Sequence, residues 1–280
     1  MRAIIAKIKK TIGPVLRSRA FSVVLVCIGA ALVVFGAFRL VATTMEYESA
    51  RSEYNQLRED FRRMPPPAAS WPPEEPFEPR PSEQKEPETA LDSEEEAHEW
   101  VDPMPAMLEI NPDFIGWITI EGLIDYPLVQ GSDNVRYLSH TFRGDRNSSG
   151  AIFKDYRNSG FDDEVSIIYG HNMRNGSMFA RLHRLRDPAV LAEHQYITIV
   201  AADWEILRYR IVAVRVINAW DVENDPRHIT AAEVARAVRG APDDAEHFLI
   251  LSTCTASANN DERLRVYAAL VEHIPAPGQF

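Results

Sequence analysis

The sequence predicts a mainly β fold with inserted helices: an eight-stranded closed barrel, preceded by a transmembrane helix and a proline-rich stalk. Three observations carry that expectation. Eight short β-rich runs follow one another between Gly116 and Val271, only two helical patterns interrupt them, and the chain before residue 100 changes character twice. Short strands with helices inserted, rather than regularly alternating, favour a closed mixed barrel over a doubly wound sheet. No internal repeat and no glycine-rich phosphate loop is visible.

The first nineteen residues carry six positive charges (Arg2, Lys7, Lys9, Lys10, Arg17, Arg19) and no acid. Residues 20–38 then run without a charge, and Arg39 ends the run. At about 1.5 Å per residue, nineteen residues just span a hydrocarbon core of roughly 30 Å. The basic flank should stay in the cytoplasm, which puts the bulk of the chain outside. A cleaved signal peptide is the competing reading. The apolar run is longer than a usual signal core, and Leu40-Val41-Ala42 makes a poor cleavage site, so an uncleaved anchor is expected.

Residues 39–99 are read as a juxtamembrane helix followed by a stalk. Between Thr43 and Met64, the residues Tyr47, Tyr54, Leu57 and Phe61 fall at near-helical spacing on a segment polar enough to stand in water. Nine prolines then fall between Pro65 and Pro87, followed by the acidic run Glu94-Glu95-Glu96. Such a composition cannot bury enough apolar surface to fold, and its prolines keep it extended. Its expected function is reach, lifting a domain off the membrane.

From about Trp100 some 180 residues have the composition of a packed domain, enough for one core. The strand runs are 116–120, 126–129, 150–153, 165–169, 196–200, 206–217, 248–252 and 264–271. Tyr209, Ile211 and Ala213 alternate as a half-exposed strand should. The helical patterns cover 177–185 and 230–239; the second opens on Thr230 with Glu233 three residues on, a capping box. The whole chain has a net charge of −11. Without the six basic residues of the tail, the remainder is more acidic still, which argues against nucleic acid and against lying flat on an anionic membrane.

Cys254 is the lone cysteine outside the membrane-like segment, since Cys27 lies within it, so a disulfide between them is implausible. A lone thiol is often buried and inert. On an exported domain it is a liability unless its chemistry is used. Cys254 closes one apolar strand, His171 closes another, and Arg263 opens a third. Strand ends are where a rigid scaffold presents side chains to a cleft. Thiol, imidazole and guanidinium together suit acyl transfer: a nucleophile, a proton carrier, and a permanent cation for an oxyanion. On spacing alone His171 has seven rivals, and Arg263 competes with Arg265 on the same strand face. No metal is expected, because no His/Cys/Asp cluster has ligand spacing; His183 and His194 are isolated. No cofactor is expected either.

At these residues the chain resembles the sortases, and class B in particular. The family carries a Thr-Leu-x-Thr-Cys-like run ending in its nucleophile, matched by Leu249-Ile250-Leu251-Ser252-Thr253-Cys254 with Ile250 in place of the usual threonine. Its Tyr-Gly-His motif is matched by Tyr169-Gly170-His171. Its Arg-aliphatic-x-Val pattern is matched by Arg263-Leu264-Arg265-Val266, which selects Arg263 over Arg265. The class B character comes from Asn111–Trp117, Ile124–Gln130 and Ile152–Asn158, and from the helical insert near Thr230. The resemblance spans about Asn111 to Ile274 and implies an eight-stranded sortase-like barrel.

The resemblance also implies a mechanism: Cys254 attacks a sorting motif of a secreted protein, His171 moves the proton, and Arg263 holds the oxyanion. The thioester then passes to a peptidoglycan precursor amine or, in pilus-building members, to a pilin lysine. Asn134, Leu138 and Ser252 sit where class B enzymes line the peptide groove. Asp155 and Tyr156 are expected to anchor a loop. The implied partners are secreted proteins with C-terminal sorting signals, the amine acceptor, and a membrane crossed once; the implied cell has a thick external wall. A membrane-anchored cysteine protease and a stalked scaffold with an inert thiol are the competing readings.

Overall fold

The computed structural model describes residues 19–62, 102–219, 225–238, 240–242, 244–255 and 261–276. The basic tail read from the sequence, except Arg19, and the proline-rich stalk lie outside these residues. The chain divides into two compact units, Met1–Ala50 and Arg51–Phe280.

Helix α1, Arg19–Arg62, contains the stretch long and apolar enough to cross a membrane, with a mean hydropathy of 2.5 over its most apolar part. Its last turns, from Arg51, belong to the second unit and do not stand in water as the sequence suggested. Tyr54 and Leu57 are buried, and Phe61 stacks on Trp117 with ring centroids 4.2 Å apart. Arg58 and Arg62 both reach Asp125. The Tyr54 hydroxyl donates to the Gly150 carbonyl at 2.6 Å and accepts from the Phe142 amide at 3.3 Å. Tyr54→Phe should therefore cost about 1–3 kcal/mol, because a buried carbonyl and a buried N–H lose their partner; urea unfolding of the full chain would measure it.

The described residues of the second unit form eight strands: β1 (Phe114–Ile120), β2 (Ile124–Val129), β3 (Ile152–Lys154), β4 (Val165–Tyr169), β5 (Tyr196–Ala201), β6 (Ile206–Asn218), β7 (Phe248–Cys254) and β8 (Glu262–Ile274). They close in the order β1-β2-β3-β4-β7-β8-β6-β5. The pairings β2–β3 and β4–β7 are parallel and the others antiparallel. Every expected strand run is found: five are extended by one or two residues, the last by five, and the third starts two residues later than expected, at Ile152.

Helix α2 (Pro103–Ile110) is capped by Asp102, whose carboxylate accepts from the Met104 amide. The pattern at 177–185 becomes a 3-10 helix, Phe179–Arg186, in place of the expected α-helix. Its buried residues Phe179, Leu182 and Leu185 recur every third position, the 3-10 period. Helix α3 (Pro188–Glu193) follows, capped by Asp187. Helix α4 (Ala231–Ala237) lies between β6 and β7 and has the expected capping box of Thr230 and Glu233.

Helix α4 covers one face of the β4–β7–β8 strip. Val234 and Val238 pack with Val165, Ile167, Phe248, Ile250 and Tyr267. A barrel of eight strands has room inside only for side chains, so the α4 side is the outer face. By strand alternation Leu249, Leu251, Leu264, Val266 and Ala268 then fill the interior. Burial on both faces explains why β7 reads as a continuous apolar run.

Candidate active site

Register brings three distant stretches to one place. In the β7–β8 ladder Cys254 is the direct partner of Arg263, and Ser252 of Arg265. In the β4–β7 ladder Tyr169 is the partner of Ser252, and the Gly170 amide donates to the Ser252 carbonyl at 3.3 Å. His171 lies two residues beyond Tyr169, as Cys254 lies two beyond Ser252. Neighbouring strands run about 4.8 Å apart, so Arg263 flanks the backbone of Cys254 on the β8 side, while on the β4 side the ladder ends at Tyr169, two residues before His171. Ser252 and Cys254 share the parity of Phe248 and Ile250, which places them on the outer face beside α4.

Cys254 and Cys27 are both free thiols, and Cys254 is half-buried. His171 Nε2 lies 2.7 Å from the Leu138 carbonyl. A carbonyl only accepts, so Nε2 carries the hydrogen, and in the neutral ring Nδ1 is left as the acceptor. The ring also rests against Gly150, where an added Cβ would come within 3.2 Å of its Cδ2 and 2.3 Å of the Tyr137 carbonyl oxygen. With φ of +58°, Gly150 needs glycine on both counts.

Gly170 explains the middle of the Tyr-Gly-His run. A Cβ there would meet Ile152 Cδ1 at 2.5 Å and the Phe179 ring at 2.7 Å. Gly170→Ala should therefore push the chain away from Phe179 and displace His171. The expected result is a loss of about 1–3 kcal/mol of stability, typical of overpacking, together with reduced peptide cleavage. Thermal melts and a cleavage assay on one preparation would show both.

The two arginines of β8 have different surroundings. Arg263 is half-exposed at the strand end, with Nη1 donating to the Glu262 carbonyl at 3.0 Å. Arg265, by contrast, is 0% exposed and lies beside Ser252 under the floor of the site. Sequence reasoning put both on one strand face; the structure agrees and separates them by depth.

Leu138, 43% exposed, lies beside the imidazole through its carbonyl. Ser252 is buried at the floor. Asn134 is drawn into a loop network: its Nδ2 donates to Asp155 Oδ2 at 2.9 Å, and its Oδ1 accepts from the Tyr156 amide.

Asp155 is the centre of that network, while Tyr156 is exposed. Its carboxylate accepts from Arg157 Nε and Nη2 and from the Tyr169 hydroxyl at 2.9 Å. Burial alone would push this carboxyl up, but the Arg157, Tyr169 and Asn134 hydrogen bonds outweigh it and hold it below its usual range. Arg157 also pairs at 3.1 Å with Asp225, which precedes α4 in the chain. Hydrogen bonds from Arg227, with the Arg157 charge behind them, hold Asp225 low as well.

Carboxyls depressed in the fold stabilise it above their unfolded value, near 3.9, and lose that contribution as pH falls through the folded value. The parent should therefore hold its urea midpoint down to about pH 4. Arg157→Met leaves the Asp155 charge buried and uncompensated, which pushes its carboxyl upward, so the midpoint should be lower at pH 7 and should recover part of that loss between about pH 6 and 4 as the carboxyl protonates. A flat profile for that variant would contradict the assignment.

Sequence reasoning missed His183. It lies on the 3-10 helix, half-buried, with Nε2 3.1 Å from the Cys254 carbonyl oxygen. Among the described residues, no group of three His, Cys, Asp or Glu side chains is placed to hold a metal.

Comparison with known proteins locates this arrangement. A family model described as the sortase domain matches residues 118–271. Over 95 residues, 33% of this chain and 39% of the relative, the chain is 45% identical to sortase B of Listeria monocytogenes. It spans about two fifths of the length of the curated relatives it matches. Among solved structures it is similar to sortase B of Clostridium perfringens, at 30% identity and a TM-score of 0.53, over 60% of this chain and 99% of that one. A class B sortase of Streptococcus pyogenes involved in pilus biogenesis matches at the same identity and TM-score, over 60% and 97%.

Proposed function

Because this chain belongs to the sortase family, in its class B branch, we propose that it is a membrane-anchored cysteine transpeptidase acting on secreted proteins. The observation that carries the proposal is the register of β4, β7 and β8. Cys254 pairs with Arg263 across β7–β8, and the β4–β7 ladder ends at Tyr169 and Ser252, two residues before His171 and Cys254, which supports a shared site for the three.

In this reading the Cys254 sulfur, as thiolate, attacks the carbonyl carbon of a peptide bond in a C-terminal sorting motif. The carbonyl oxygen gains negative charge, which Arg263 stabilises. The C–N bond breaks as His171 gives its proton to the departing amine, leaving a thioester on Cys254. An incoming amine then loses a proton to His171 as its nitrogen forms the new amide bond and the C–S bond breaks. Thiolate and imidazolium are regenerated, and no cofactor enters the balance. Leu138, Asn134 and Ser252 line the groove for the motif. The acceptor is a peptidoglycan precursor amine. The basic tail stays in the cytoplasm and the barrel faces outward, where it meets proteins as they cross the membrane.

The test is partition between acceptors. The full chain in detergent, given a panel of labelled sorting-type peptides and an amine such as oligoglycine, should form the amide-linked product. Steady hydrolysis with no amine incorporated at saturating acceptor would replace transpeptidation with proteolysis. Better incorporation of a lysine side chain than of oligoglycine would move the acceptor to a pilin.

A further inference from the structure

The carbonyl of Cys254 is an acceptor that the sheet cannot serve. Along β7, alternate residues present their backbone groups to alternate neighbours. Ser252 presents its carbonyl to the β4 side, where it accepts from the Gly170 amide. Cys254, two residues on, presents its carbonyl to the same side, but the β4 ladder stops at Tyr169 and the chain turns away after Gly170. A carbonyl at a strand end, half withdrawn from water, needs a donor from elsewhere. His183 Nε2, 3.1 Å away, supplies it. The 3-10 helix that carries His183 is fixed by Phe179, Leu182 and Leu185, all fully buried.

We infer that His183 is a positioning residue for the nucleophile. It holds the peptide plane after Cys254 so that the sulfur stays in line with His171. On the other side of that plane the Thr255 amide donates to the Glu262 carbonyl at 3.3 Å, so the peptide is gripped from both edges. Fixing the plane fixes ψ of Cys254, and with it the direction in which Cβ carries the sulfur. His183 touches no reacting atom in this arrangement; it acts through Cys254 alone. Its nitrogen donates to a carbonyl, so Nε2 carries a hydrogen. The inference rests on the transpeptidase reading of Cys254 and His171.

The experiment uses the full chain in detergent with Cys27→Ser, which leaves Cys254 as its one thiol. His183→Leu keeps bulk but cannot donate, whereas His183→Gln keeps an N–H donor. Two quantities are read on the folded fraction: the rate of Cys254 alkylation by iodoacetamide, and kcat and KM for peptide cleavage. Misplacement of a reacting group by about 1 Å costs up to about 100-fold, so His183→Leu should lower kcat by about tenfold or more, with KM within about twofold. Its alkylation rate should change in parallel, and His183→Gln should recover most of both.

The inference is overturned if His183→Leu lowers only the melting temperature while its folded molecules cleave at the parent rate. It is equally overturned if His183→Gln is as impaired as His183→Leu. Parallel Cys254→Ala and His171→Ala variants separate the two levels. If both abolish cleavage while His183→Leu is silent, only the positioning role falls. If Cys254→Ala still cleaves, the catalytic reading itself falls.

Discussion

Cys254→Ala is expected to abolish peptide transfer, by about 1,000-fold or more, while leaving the fold intact. Removal of a covalent nucleophile disables the whole constellation, because imidazole and guanidinium have nothing left to assist. The structural cost should be small. Cys254 is the last residue of β7 and half-buried, and alanine keeps its ladder pairing with Arg263. A change of under about 0.5 kcal/mol is expected, typical of a substitution outside the core. Transfer assays and melts on the same sample would check both parts. Residual transfer above about 1% of the parent rate would move the nucleophile elsewhere.

The second large effect separates the arginines. Arg263→Ala should lower transfer by about 100- to 1,000-fold, the range seen when one oxyanion donor is removed. Arg263→Lys should recover only part of it, since a flexible ammonium cannot reproduce the planar guanidinium. Arg265→Ala should behave differently. Its guanidinium is wholly buried beside Ser252, so truncation leaves a void under the floor. A stability loss of several kcal/mol is expected there. The molecules that remain folded should still transfer. Loss of activity in Arg265→Ala at unchanged stability would reverse the two roles.

The eight strands were legible because each is a short apolar run bounded by turn residues, and β7 is apolar without interruption because both its faces are covered. The three candidate site residues were legible for a related reason: each stands where such a run stops or starts. What a linear reading could not supply was register. Nothing local in 165–171 or 248–254 says that Tyr169 faces Ser252, which is what brings the segment leading to His171 to the end of β7.

The same limit applies to α1. The stripe of Tyr54, Leu57 and Phe61 was visible, but its partners Trp117 and Gly150 lie 56 and 96 residues further on. Helix α2 was signalled by Asp102 followed by Pro103, an N-cap and first-turn pair that is easily absorbed into a proline-rich boundary. Helix α3 repeats that signal at Asp187 and Pro188. His183 left no mark at all, because a hydrogen bond to a backbone carbonyl 71 residues away has no sequence signature.

The most direct measurement is intact mass under turnover. The full chain, mixed with a cleavable sorting-type peptide and quenched in acid, should carry an acyl adduct that maps to the segment containing Cys254 and is discharged by hydroxylamine. Peptide cleavage that proceeds with no adduct at any time, or with one on another residue, would contradict thioester chemistry at the end of β7.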